Sequence, residues 1–139
     1  SIPAPFRTVL AKGGGDGLYC HPSLGEPELD GGGNRLVGEI DALIESYPPY
    51  SEAREELAAA LYGTSETLRI DPEGRVVLSD TLKAHAAITD QVAFVGLGHK
   101  FRIWEPERLK AHLAEATQRV RELRQAIGSR AENPRSTKA

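Results

Sequence analysis

The sequence predicts an α/β fold, with two pseudo-symmetric βαββα halves, a helix between them and a long helix after them. Three observations carry this prediction. Between Thr67 and Trp104, short β-rich runs are separated by turn residues and one capped helix. From Leu109 to Ile127, apolar residues recur at intervals of four and three, as on one face of a helix. The order of elements in the second half is echoed, at low identity, in the first.

In chain order, Ser1-Ile2 reads as the end of a strand and Pro3 to Arg7 as the start of a helix. Gly17-Leu18-Tyr19-Cys20 reads as a strand, and Leu36 to Ile40 opens a second helix. Ser51 caps a linking helix from Glu52 to Tyr62, which Gly63 stops. Thr67-Leu68-Arg69-Ile70 alternates polar and apolar, as a half-buried strand does. Asp71-Pro72-Glu73-Gly74 then has Asp, Pro and Gly where a type I turn prefers them, and Arg75 to Leu78 returns as a second β run. Ser79 caps a short helix from Asp80 to Ala87. Gln91 to Gly96 and Lys100 to Trp104 are two further strands, after which Glu105 and Pro106 start the last helix. Its seam is Leu109, Leu113, Ala116, Val120, Leu123 and Ile127, and Gly128 is expected to end it. The seam has two readings, a face packed on its own domain or a contact with another subunit.

The repeat is specific in order. Ser1 to Arg7 lies over Val77 to Lys83, Gly17 to Cys20 over Gln91 to Phe94, Pro27 to Arg35 over Lys100 to Arg108, and Leu36 to Ile40 over Leu109 to Leu113. The expected organisation is a first half over 1–47, a linking helix over 48–64, a second half over 65–113, a helix extension over 114–128 and a disordered tail over 129–139. Each half is too small to fold well alone, and the two together make one domain. Met is absent throughout. Because Ser1-Ile2 looks like the tail of a strand, a further segment is expected before it.

Composition narrows the function. Seventeen Lys and Arg stand against twenty Asp and Glu, a formal charge of −3, so any nucleic-acid contact must come from a local basic cluster multiplied by assembly. No apolar run of about 18 residues is present to span a membrane, and no signal peptide is recognisable. A single cysteine, Cys20, leaves no internal disulfide framework and no multi-cysteine zinc site, and points to a reducing cytoplasm.

Most candidate motifs are weak. The glycine runs Gly13–Gly17 and Gly31–Gly33 lack the Lys-Ser/Thr of a phosphate loop and read as flexible loops, Asp16 included. Cys20 and His21 are neighbours on a strand and point to opposite faces, so they read as a buried thiol beside a surface imidazole. His85, His99 and His112 have no metal-ligand spacing. Phe94, Phe101 and Trp104 suit core filling better than base stacking. No nucleophilic triad or carboxylate pair stands out; the sequence reads as a non-enzyme with no cofactor and no metal. The exception is Asp71-x-x-x-Arg75, where a tight turn lifts Arg75 and Asp71 can hold its guanidinium, with Arg69 adding charge nearby.

Leu68 to Leu78, followed by Val92 to Gly96 and Lys100 to Trp104, resembles the second half of the MraZ family of bacterial transcriptional regulators, in the AbrB-like swapped-hairpin group. The resemblance covers nearly the whole chain. It implies a swapped-hairpin double barrel, a D-x-x-x-R turn in each half, and rings of about eight to twelve subunits. The first-half turn would fall immediately before Ser1. The resemblance also implies sequence-specific binding of double-stranded DNA at promoter-proximal direct repeats. The expected outcome is repression of the division and cell-wall gene cluster, by a cytoplasmic, nucleoid-associated protein. The DNA-contacting residues expected on this basis are Asp71, Arg75, Arg69, Gly74, Arg7 and Lys83. Two rivals are an AbrB-type antidote module that binds a partner toxin through the tail, and a structural ring that binds no DNA.

Overall fold

The computed structural model describes residues 1–13 and 17–132. They form two compact units, Ser1–Glu105 and a unit beginning at Pro106. The first unit contains α1 (Ala4–Gly13), β1 (Gly17–Pro22), β2 (Leu29–Gly32), α2 (Asn34–Glu45), α3 (Glu52–Tyr62), β3 (Glu66–Arg69), α4 (Asp80–Ala86), β4 (Ala93–Gly96) and β5 (Lys100–Trp104). The second contains α5 (Pro106–Glu132). In this order α1-β1-β2-α2 is followed, after α3 and β3, by α4-β4-β5-α5. α1 begins at Ala4 and α4 at Asp80, the two positions the sequence alignment pairs.

All five strands join one antiparallel sheet in the order β3-β1-β2-β5-β4. Each half contributes a hairpin, and the two meet where Leu29 to Gly32 pairs with Ile103 to Lys100. β3, which precedes the second hairpin in the chain, pairs instead with β1 of the first. The halves are therefore interleaved.

Alternation along the strands sends side chains to both faces, and helices cover both. Leu18, Cys20, Leu29, Phe101 and Ile103 pack with Ile2 and Leu10 and with Leu82 and Ala86 of α4. Phe6 and Phe94 complete this core as rings stacked 5.4 Å apart, each also against Phe101. Tyr19 faces the other way, onto Leu36, Ile40 and Ile44 of α2 and Leu61 of α3. Phe94, Phe101 and Trp104 thus serve the core, as their spacing predicts; Phe101 and Trp104 are buried. Ser51 and Ser79 cap α3 and α4, each accepting the backbone N–H three residues on, from Arg54 and Leu82.

Several expectations are corrected. Gly31 and Gly32 are buried strand residues. A Cβ on Gly31 would lie 2.9 Å from the Phe101 ring and one on Gly32 2.8 Å from Leu36 Cβ, so these glycines let the sheet be packed closely from both sides. Of the other run, Gly13 ends α1 and Gly17 starts β1, while 14–16 lie outside the described residues. His21 is buried along with Cys20, because the second face of the sheet is also covered. Its Nε2 lies 3.7 Å from Asp30, its ladder neighbour, and Asp30 and Glu28 both take the Arg102 Nε at 3.1 Å. Burial pushes the Cys20 thiol up to about 12, helped by the charges of Asp30 and Glu66, so it stays protonated.

Arg75 to Leu78 has no ladder partner among the described residues and is not a strand. β-rich composition fits a chain to a sheet but cannot supply the neighbouring backbone. Val76 and Leu78 still face the core, whereas Val77 is exposed. Gly128 does not end α5, which continues to Glu132; a glycine inside a helix lowers its stability without breaking it. Residues 129–132, expected to be disordered, are helical, and 133–139 lie outside the described residues. Within α5 most of the seam is uncovered: Leu113, Val120, Leu123 and Ile127 are 50, 56, 60 and 56% exposed, while Leu109 and Ala116 are half-buried.

Candidate nucleic-acid interface

β3 ends at Arg69 and the chain reverses over Asp71–Arg75. Gly74 N–H donates to the Asp71 carbonyl and Asp71 N–H to the Arg75 carbonyl, both at 2.9 Å. This is a type I turn followed by a residue at positive φ, and Gly74 takes that place with φ +81°. Glycine is required because an L side chain is strained in this region.

The Asp71 carboxylate organises the loop. Oδ1 accepts the backbone N–H of Glu73 at 2.9 Å and of Arg75 at 2.8 Å, and Oδ2 accepts the Arg75 Nε at 3.0 Å. The backbone N–H of Arg75, then its side chain and the N–H of Glu73, hold the Asp71 carboxyl below its ordinary value. Asp71 therefore stays ionised and keeps one edge of the guanidinium fixed. The side chain of Arg75 nevertheless remains 60% exposed. An orientated, solvent-facing guanidinium is the group suited to bidentate contact with a phosphate or a guanine edge.

Of the other residues expected here, the fold brings in two. Arg69 lines one shallow groove with Ile70, Asp71, Pro72, Arg75 and Val77. Arg7, from α1 of the first half, lies over Gly74 and lines a second groove with Ile70, Asp71 and Pro72. The turn is also tied to the chain start, since Ile2 N–H donates to the Gly74 carbonyl at 2.7 Å. Lys83 is placed differently. It lies on α4 and pairs with Asp80 at 3.7 Å, and none of the described contacts joins it to the turn.

Sequence reasoning missed Glu73, whose carboxylate contacts the Arg75 Nη2. The signal was present in Asp71-Pro72-Glu73-Gly74-Arg75, because a tight turn folds residues two apart onto the same side. Among the described residues, no three His, Cys, Asp or Glu side chains are grouped to hold a metal ion. No described helix is long and apolar enough to cross a membrane.

Residues 61–127 match the family model described as "MraZ protein, putative antitoxin-like". The chain is 96% identical over 139 residues to "Transcriptional regulator MraZ" of Xanthobacter autotrophicus, covering 100% of this chain and 88% of that one. It is 75% identical over 129 residues to the protein of the same name from Azorhizobium caulinodans, covering 93% and 82%. With that of Parvibaculum lavamentivorans it shares 42% identity over 130 residues, covering 93% and 81%.

Proposed function

The chain belongs to the MraZ family, and on that premise we propose that it is a transcriptional regulator that binds double-stranded DNA through the Asp71–Arg75 turn. The observation that carries this reading is the guanidinium of Arg75, fixed along one edge by Asp71 while remaining exposed. Arg69 and Arg7 flank the turn and add positive potential. Asp71 and Gly74 shape it without themselves attracting DNA, and Lys83 adds a positive charge on α4, outside the turn.

The chain carries net negative charge, so one turn supplies only a weak contact. A ring of identical subunits presents several turns in phase with short direct repeats, and avidity then does what a single site cannot. The uncovered seam of α5 supports assembly, and the pairing of β3 with the first hairpin supports an exchanged, swapped-hairpin arrangement of the halves. In this reading the protein acts at promoter-proximal repeats of its own gene cluster, that of division and cell-wall synthesis, in the nucleoid. Its role is binding, not catalysis.

The test is fluorescence anisotropy of the natural full-length protein on a duplex from upstream of its own gene and on a scrambled duplex, at two salt concentrations. Arg75→Ala removes the preference for the upstream duplex, since one bidentate guanine contact is worth about 1–3 kcal/mol of discrimination. Unchanged affinity and preference in that variant would refute the assignment.

A further inference from the structure

Two carboxylates hold Arg75, at different nitrogens of its guanidinium. Asp71 takes Nε from within the turn, while Glu73 takes Nη2. With Nε already occupied, the pair left for a forked contact is Nη1 and Nη2, and Glu73 covers half of it. We infer that Glu73 is a specificity-determining residue, an intramolecular competitor for Arg75 that a neutral guanine edge displaces at less cost than an anionic phosphate does. This rests on the reading of the turn as the DNA contact.

The chemistry follows from what each partner offers. A phosphate can offer two oxygens to the fork, but it brings its own negative charge up to the displaced Glu73 carboxylate. A guanine edge also offers two acceptors, O6 and N7, and is neutral, so it meets the fork without that repulsion. Glu73 thus penalises non-specific contact more than specific contact. The competing pair is exposed, and exposed pairs are weak, so the penalty per turn is small. It multiplies over the turns that engage one duplex.

The experiment compares Glu73→Gln with Glu56→Gln, which removes one negative charge from α3, and with Arg75→Ala. All are made in the natural full-length protein and measured on the upstream and scrambled duplexes. Glu73→Gln tightens binding to scrambled duplex by about two- to five-fold per engaged turn and tightens the upstream duplex less, so the ratio between them falls. Glu56→Gln leaves that ratio unchanged. If Arg75→Ala abolishes the preference but Glu73→Gln behaves like Glu56→Gln, Glu73 does not compete and the inference is overturned while the DNA reading stands. If Arg75→Ala changes nothing, the turn is not the contact and both fall.

Discussion

The side chain of Arg7 lies across Gly74, so close that a Cβ on that glycine would sit 2.7 Å from Arg7 Cδ. The first half of the chain therefore covers the turn that the second half presents. Gly74→Ala has two costs of different size. Arg7 has a flexible side chain and can shift aside, but φ of +81° strains any L residue, by about 1–2 kcal/mol. Urea unfolding should show that loss, and Arg7→Ala should not rescue it. Full rescue would place the cost in the contact, not in the backbone.

Asp71 combines two roles that substitution can separate. Asn keeps an acceptor for the backbone N–H groups of Glu73 and Arg75 but holds the Arg75 guanidinium without charge. Asp71→Asn should therefore retain the turn, visible as unchanged amide chemical shifts around Gly74, and yet lose preference for the upstream duplex. Asp71→Ala should lose both. Tighter binding by either variant would show that Asp71 acts as plain negative charge.

The apolar seam of α5 is uncovered along most of its length, which a helix in water does not favour. Light scattering of the natural protein should give a mass several times that of one subunit at micromolar concentration. Val120→Glu with Leu123→Glu should lower it while circular dichroism shows the sheet intact. A monomeric parent, or a double variant of unchanged mass, would exclude the seam as the contact.

Glu39 on α2 ties the two halves together across the β4–β5 hairpin, accepting from the Lys100 Nζ at 2.8 Å and contacting His99 Nε2. The hydrogen bond from Lys100, aided by His99 and opposed by partial burial, holds its carboxyl below the ordinary value of 4.5. A carboxyl depressed by folding contributes stability that is fully present above its unfolded value and is lost as pH falls through the folded one. Glu39→Gln should therefore lower Tm at pH 7 by a small amount, since the group is exposed. The difference should shrink as pH drops below about 4.5, where the parent too becomes protonated. A gap that stayed constant with pH would rule out the charge as its source.

Local sequence determined much of this protein. Ser51 and Ser79 start their helices where capping chemistry puts them, Gly63 directly follows α3, and the seam of α5 and the strand Lys100–Trp104 follow from periodicity alone. The Asp71–Arg75 turn was legible for the same reason, because its bonds close within five residues. What needed the tertiary structure was everything set by distant backbone. Arg75 to Leu78 has strand composition but no ladder partner among the described residues, and Gly31 and Gly32 look like a loop until Phe101 and Leu36 press on them from opposite faces. His21 is buried because the sheet has two covered faces, which alternation along one strand cannot reveal. Arg7 reaches Gly74 and Lys83 does not, although the repeat places them in equivalent positions. β3 joins the hairpin of the other half, so the turn that follows it meets α1 of the first half, away from α4.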